Sequence, residues 1–363
     1  MNEYHYTIGF LSHFPPLIQM VWIASFVILL HISILTIYLK YLRSRLRLNQ
    51  KLEAKYKESY ESSLITFIYS GEEDGVLSLE QKAIIEDLKS GVSNSFKRKI
   101  LTKTLIKLRN EISGEVAESI DKLYVELGLL PYTLSKLRNR KWDVVAKAIK
   151  ELTQFQVKEI HDIIMNSINH PKKEVRKEMQ LYLVQLFTFK GLDFLNVLET
   201  SLSEWDQIQL LEILQRSEDQ NITDIKPWLK STNDSVVTFA LKLAKIYNQY
   251  EVKDEIIELL NHKMEEIRVN AIESLSQLNV FEAKKILKSN FNKTSIDEQI
   301  AIVKMIDNTY ESTDKSFLLE HRNHENKEIK ILILEIMKNM NFEDYNIHNL
   351  ELLESSNQKK LTA

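Results

Sequence analysis

The residues best suited to metal chemistry lie near the C-terminal end of the sequence. In the run HRNHE, His321 and His324 stand three positions apart, and Glu325 follows directly. Imidazole and carboxylate groups are zinc ligands, but a zinc site needs at least three of them around one point. No third ligand converges on this pair, and the run falls at a turn between two helices. We therefore predict a hydrated loop and no metal site.

A serine and an acid that could form a functional corner occur in SEWD, residues 203–206. Ser203 and Asp206 have the spacing of a capping box at the start of a helix. Trp205, between them, is expected to fill a gap between neighbouring repeats. Acids such as Glu255 and Glu258 have the spacing of a solvated helix face and define no general acid–base pair. The sequence therefore predicts no catalytic residue, no cofactor and no small-molecule substrate, which indicates a non-enzymatic protein.

The composition limits the fold and the chemistry further. The 363 residues include no cysteine, which excludes disulfides, thiolate metal sites and cysteine nucleophiles. Only seven glycines are present, too few to favour phosphate-binding loops or the many tight turns of β-sandwiches. Hydrophobic residues make up 44% of the chain, and the net charge of −3 gives no basic footprint for nucleic acid. These features favour an all-α protein and no nucleic-acid partner.

One segment near the N-terminus is apolar enough to cross a membrane. From Leu17 to Leu39 there are 23 residues without a charge. As a helix the run is about 34 Å long, enough for a hydrocarbon core of about 30 Å. A cleavable signal peptide would carry positive charges before the run, and residues 1–16 contain no Lys or Arg. We predict a single transmembrane helix over residues 17–39.

Positive charges follow this run before the first acid, Glu53. By the positive-inside rule, residues 1–16 lie outside and the remainder lies in the cytoplasm, anchored in the cytoplasmic (inner) membrane. His31, within the run, is predicted to hydrogen-bond locally, with a proton- or ligand-binding role as the alternative. The residues expected at the membrane interface are Trp22, Lys40, Arg43, Arg45 and Arg47.

Residues 40–60 are predicted to continue this helix beyond the membrane. Their Lys and Arg residues alternate with leucines and would meet anionic headgroups. A short dimerising coiled coil is the alternative, but no apolar heptad continues for three or four repeats. Residues 61–130 are predicted to hold three or four more helices, over residues 62–69, 79–89, 96–109 and 115–127, which cap the first repeat of the following array. Gly128 and Pro131 mark its end.

From Gly128 onward the sequence repeats itself. Seven anchor positions lie 30 or 31 residues apart: Val144, Val175, Asp206, Val236, Ile267, Glu298 and Ile329. The residues four and eight positions after each anchor are apolar in every copy, and this spacing places them on one helix face. A second column, at intervals of 31, marks a second helix in six copies: Ile163, Phe194, Ile225, Ile256, Leu287 and Leu318. The pattern predicts about seven helical hairpins over residues 131–343, followed by a tail, 344–363.

The first-helix pattern resembles the HEAT repeat family. The segments that carry the resemblance, between about residues 134 and 340, are EVR at 174–176, EIR at 266–268, EIK at 328–330 and NAIESL from Asn270. The period of 31 is shorter than the usual 40–47 and is similar to short bacterial HEAT repeats. Asp206–Gln207 and Glu298–Gln299 depart from the V-R pair. The resemblance implies an α-solenoid, and the whole layout resembles membrane-anchored bacterial HEAT repeat proteins, which implies no activity.

Stacked helical hairpins offer an extended surface for a protein segment, usually along their second helices. We therefore expect a membrane-tethered scaffold or adaptor that binds a protein partner at the cytoplasmic face. The resemblance leaves two alternatives, an enzyme or chromophore-handling protein of the short HEAT type (lyase-like), and an accessory subunit of a membrane sugar-polymer synthase. The candidate partner-binding residues are Lys226, Lys230, Glu258, His262, Lys285 and Lys288.

Overall fold

A computed structural model describes residues 15–70, 72–73, 76–217 and 222–340. The chain divides into two compact units, Met1–Lys136 and Leu137–Ala363. The predicted outer N-terminus (residues 1–16) lies almost wholly, and the predicted tail (344–363) wholly, outside the described residues. The all-α class is confirmed for the described part of the chain, where the one β ladder pairs two-residue strands, β1 (Glu72–Glu73) and β2 (Val76–Leu77).

Unit 1 is a long helix with four shorter ones. They are α1 (Pro16–Tyr69), α2 (Leu79–Val92), α3 (Ser95–Glu111), α4 (Glu115–Glu126) and α5 (Leu130–Lys136). The predicted helical runs are therefore confirmed, except that 62–69 is the end of α1 and not a separate helix. Gly114 and Gly128 adopt φ of 70° and 71° at the ends of α4, a conformation that other residues adopt only with strain. The C-terminal part of α1 packs on α2 and α3.

The N-terminal part of α1 is the one helix among the described residues that is long and apolar enough to cross a membrane. Its large apolar side chains are exposed from Leu17 to Leu39. Polar side chains within it bond to the helix itself: the Nδ1 atom of His31 lies 3.0 Å from the Val27 carbonyl oxygen, and the Thr36 hydroxyl donates to the Ile32 carbonyl. The local hydrogen bond predicted for His31 is confirmed.

Unit 2 contains seven regularly spaced first helices. Their first residues are 31, 31, 30, 31, 31 and 31 positions apart, the predicted intervals. The residues four and eight positions after each anchor are buried in all seven copies, so the predicted apolar stripe is confirmed. These helices are α6 (Trp142–Gln154), α8 (Lys173–Phe187), α9 (Glu204–Arg216), α11 (Asp234–Ile246), α13 (Glu265–Gln277), α15 (Ile296–Asn308) and α17 (Lys327–Asn339).

The second elements are shorter and less regular than the predicted second helices. The column residues from Phe194 onward are buried, but Ile163 is 53% exposed and its neighbour Ile164 is buried in its place. The prediction for Ile163 is therefore wrong by one residue. The elements are α7 (His161–Asn166), a 3₁₀ segment (Thr188–Asn196), α10 (Lys226–Leu229), α12 (Lys253–Glu258), α14 (Phe281–Asn290) and α16 (Lys315–His321).

The residue after each anchor ties a first helix to the loop before it. Arg176 and Arg268 each donate from Nη1 to a carbonyl six positions back, at 2.7 and 2.8 Å. Where the V-R pair is missing, Gln207 donates to the Leu202 carbonyl and Gln299 to the Phe291 carbonyl, at 3.2 and 2.9 Å. The two departures from the HEAT pattern therefore keep the same backbone contact.

The capping box predicted at Ser203 and Asp206 is present at the start of α9. Trp205 does not fill a gap between repeats, and that prediction is wrong: its side chain is 62% exposed. In the first turn of a helix only one side faces the packed neighbours, and Trp205 lies on the other side. The buried tryptophan of this region is Trp228, whose indole N–H donates to Asn196.

Candidate partner-binding surface

Three of the six candidate residues come together on two neighbouring second elements. Lys226 begins α10, Lys230 follows its end, and Glu258 ends α12. Lys226 Nζ lies 3.5 Å and Lys230 Nζ 3.9 Å from the same oxygen of Glu255, and Lys230 also lies 3.8 Å from Glu258. We call these four residues the α10–α12 charge cluster. Glu255 is held in it by two lysines from the preceding repeat.

Ion pairs continue in the same direction along the following second elements. Lys253 of α12 pairs with Glu282 of α14. Lys284 and Lys288 of α14 pair with Asp314, directly before α16, at 2.9 and 2.7 Å. Each contact joins residues one repeat apart. We call this series, from Lys226 to Asp314, the second-element ladder.

The two candidate lysines of α14 have different surroundings. Lys285 is exposed. Lys288 is half-buried and bonds to a fully buried carboxylate, that of Asp314. Burial alone would raise the pKa of Asp314, but hydrogen bonds from Lys288 and Lys284 outweigh it and hold that pKa below its usual value. Lys288 therefore stabilises the fold, whereas Lys285 is free to meet a partner.

His262 lies in the turn before α13. Its Nε2 atom is 3.6 Å from Asp234, and its Nδ1 atom accepts a hydrogen bond from the Met264 backbone N–H. Its carbonyl oxygen accepts from Arg268. The side chain is largely enclosed by these contacts, so of the six candidates His262 and Lys288 are tied into the fold.

His321 and His324 sit against aromatic rings. The ring of His321 lies 4.7 Å from that of Phe291 and 4.4 Å from that of Phe317, and its Nδ1 atom is 2.9 Å from the Phe317 carbonyl oxygen. His324 accepts at Nδ1 from the Asn326 backbone N–H. Within the described ranges no group of three or more His, Cys, Asp or Glu residues could hold a metal ion.

A groove of about 700 Å³ lies between the loop Leu195–Ser201 and the loop Ser231–Ser235. Asn233 spans it, donating from its amide to the carbonyls of Leu198 and Thr200 at 3.0 and 2.9 Å. The Leu202 backbone N–H donates to the Ser235 hydroxyl at 2.8 Å. The walls are polar and already hydrogen-bonded to each other, so the groove is chiefly a joint between two repeats.

Sequence reasoning missed the acidic members of the ladder. Glu255, Glu282 and Asp314 each pair with a lysine 26 to 30 positions earlier in the chain. A search for opposite charges about one repeat apart would have found them, because equivalent positions of adjacent repeats are neighbours in a stack.

Comparison with known proteins places the fold among helical-repeat structures. No family model matches the chain, and no curated protein matches its sequence. Human deoxyhypusine hydroxylase is 12% identical, with 78% of this chain and 96% of that one covered at a TM-score of 0.30. The complex of CpcE and CpcF of phycocyanin lyase from Nostoc sp. PCC7120 is 13% identical, with 75% and 94% covered at 0.24. These are HEAT-like helical repeat proteins.

The expectation of a non-enzymatic protein is corrected by these comparisons. Two of the matched structures are enzyme-type proteins, a hydroxylase and a lyase. The sequence argument counted only recognisable catalytic motifs, and it gave no ground for excluding catalysis by an array of this type. The likenesses concern the fold and transfer no activity to this chain.

Proposed function

We propose that the chain is a membrane-tethered helical-repeat protein that binds a protein partner at the cytoplasmic face. The observation that carries the proposal is the second-element ladder, which links the exposed charges of Lys226, Lys230, Glu258 and Lys285 into one surface across several repeats. Repeat arrays use such continuous surfaces to bind extended protein segments.

The charges of this surface suit exchange with a partner. The side chains of Lys230 and Glu258 are 56% and 68% exposed. Exposed ion pairs contribute at most about 1 kcal/mol to stability, because water competes for both ions. A partner's charges can therefore replace these internal pairs at little cost to the fold, and they would fix which segment binds and in which register.

The tether is supported by the exposure of the apolar run in α1. A core helix would bury residues such as Phe26 and Leu30, whereas both are exposed. Basic residues follow the run directly, which favours a cytoplasmic position for both units. Confinement to a membrane raises the effective concentration of an array toward a partner in the same membrane. A membrane sugar-polymer synthase or a signalling component is a partner of this kind.

A second candidate function is that of a helical-repeat enzyme, lyase-like in the wider sense. The groove between Leu195 and Ser235 is the observation in its favour, since about 700 Å³ is within the range of small-molecule sites. Turnover of a small molecule by the purified chain, abolished by Asn233→Leu in the groove, would establish this function instead.

Neutralising the exposed lysines of the surface is expected to weaken partner binding without unfolding the chain. The change is Lys226→Gln, Lys230→Gln and Lys285→Gln together, because glutamine avoids repulsion with Glu255 and Glu258. We expect recovery of partners from detergent-solubilised membranes to fall about tenfold, the sum of three modest interface charges. Quantitative mass spectrometry of affinity-purified samples measures it.

The matched control neutralises three exposed lysines of the first helices, Lys147, Lys304 and Lys338. It changes the net charge equally and should leave recovery within about twofold of the wild type. Lys288 is left unchanged, because its loss would leave Asp314 with one cation fewer. Equal recovery from both triple variants would contradict the assignment of the surface.

A further inference from the structure

The part of α1 beyond the apolar run carries a one-sided set of basic residues. Lys40, Arg43, Arg47, Lys51 and Lys55 follow one another at intervals of three or four residues and are all exposed. This spacing places them along one face of the helix. We call them the basic stripe.

The opposite face of the same segment packs against unit 1. Tyr60 is buried and follows Lys51 by nine residues, or about two and a half turns, which puts it on the far side of the helix. Glu53 and Glu61 also face the other helices, where they pair with Lys103 and Lys107 of α3, each at 3.1 Å. The stripe therefore points away from α2 and α3.

The charges of α1 are sorted by these contacts. The ion pairs of its acids, as far as the chain is described, go to Lys57, Lys103 and Lys107, and none goes to a residue of the stripe. Five cations thus remain without an internal counterion on one exposed face. Such a face lowers its electrostatic energy by contact with an anionic surface.

The position of the stripe identifies that surface. Lys40 follows directly on Leu39, the last residue of the apolar run, and the exposed rings of Tyr38 and Tyr41 flank the junction. Tyrosine at such a junction is typical of the membrane interface. A second copy of the chain would set stripe against stripe, which like charges oppose.

We propose that the basic stripe docks on anionic phospholipid headgroups and leans α1 toward the membrane surface, with α2 and α3 on the side away from the lipid. The stripe is about 22 Å long, whereas the headgroup layer on one side of a bilayer is only about 5–8 Å thick. An upright helix would bring only its first cations to the lipid, and a leaning helix brings all five. The inference rests on the proposed membrane span.

Absence of cysteine allows a test by single fluorescent labels on the full-length chain. Ala54→Cys places a label within the stripe, and Ser90→Cys places one on the exposed side of α2. Each labelled chain is reconstituted into vesicles of phosphatidylcholine alone or mixed with phosphatidylglycerol, with a nitroxide quencher on the headgroups. In mixed vesicles, we expect quenching at position 54 to rise about twofold or more and quenching at position 90 to stay unchanged.

Neutralisation of four stripe residues, Lys40→Gln, Arg43→Gln, Arg47→Gln and Lys51→Gln, should return quenching at position 54 to the level in phosphatidylcholine. High salt should do the same. The matched control neutralises four exposed lysines of unit 2 and should retain the full response. Those control residues are Lys147, Lys190, Lys304 and Lys338.

Carbonate extraction of the same vesicles separates the two claims. A chain that resists extraction but shows no dependence on phosphatidylglycerol at position 54 overturns the stripe and leaves the span standing. A chain that carbonate removes, but whose quenching depends on both phosphatidylglycerol and the stripe, overturns the span and supports the stripe. Equal quenching at positions 54 and 90 overturns the lean. Loss of a protein partner in the stripe variant, without any lipid response, would assign the stripe to an acidic protein and overturn the proposal.

Discussion

Replacing Ala271 with aspartate is expected to lower the free energy of unfolding of unit 2 by several kcal/mol. Ala271 is fully buried in the stripe that runs through the first helices, and the equivalent residues of the adjacent repeats, Ala240 and Ile302, are buried as well. An aspartate there would place a carboxylate among apolar side chains, where an uncompensated charge costs several kcal/mol. Thermal and urea unfolding of the detergent-solubilised chain, followed by circular dichroism, measures the loss.

The matched control for this change is Glu273→Ala, two residues along the same helix. The Glu273 side chain is 53% exposed and lies 3.3 Å from Lys245. Loss of such an exposed pair costs less than about 1 kcal/mol. Equal melting temperatures for the two variants would show that the register of the repeats is wrong.

The second large effect is expected at Asp314, which joins two repeats from a fully buried position. Asp314→Ala removes the counterion of Lys284, itself buried, and of Lys288. Breaking a buried ion pair by removing one partner costs about 3–5 kcal/mol, because a charge stays buried without compensation. Glu311→Gln is the control, since Glu311 contacts Lys284 from an exposed position. Similar melting temperatures for these two variants would contradict this role of Asp314.

The same carboxylate predicts how stability changes with pH. The pKa of Asp314 lies below its usual value in the folded chain, so the native state binds its proton less readily than the unfolded state does. Its contribution to stability is therefore complete above about pH 4 and is lost as the pH falls through the lowered pKa. Glu298, bonded to Arg268 and Ser295, has a lowered pKa for the same reason. Melting temperatures of Asp314→Asn between neutral and acidic pH should fall less steeply than those of the wild type.

The regular half of each repeat could be predicted from the sequence because a helix face is a local pattern. Ala271 and its equivalents follow from spacing alone, since burial of one helix face requires apolar residues at fixed intervals. The second elements could not be predicted as well. They are short and partly 3₁₀, so that one residue of slip exchanges Ile163 for Ile164, and their ends depend on contacts between repeats, such as the Lys284 bond to the Thr309 carbonyl.

The candidate surface was predicted only in outline for a related reason. Exposure of Lys226, Lys230 and Lys285 follows from their place on the second elements, but the role of Lys288 depends on Asp314, 26 residues further along the chain. The exposed Trp205 likewise shows that a large apolar residue is not always a core residue. Side-chain pairing across repeats is a tertiary property, and helical periodicity carries no information about it.

The central claim is that α1 tethers the repeat array to the cytoplasmic side of a membrane, and cysteine labelling in intact bacterial cells tests it most directly. Ser12→Cys precedes the described residues, and Ser316→Cys lies on α16 with an exposed side chain. An impermeant thiol reagent should label position 12 in intact cells and position 316 only after the cells are permeabilised. Labelling of position 316 alone in intact cells would contradict the orientation, and release of the unlabelled chain by alkaline carbonate would contradict the tether itself.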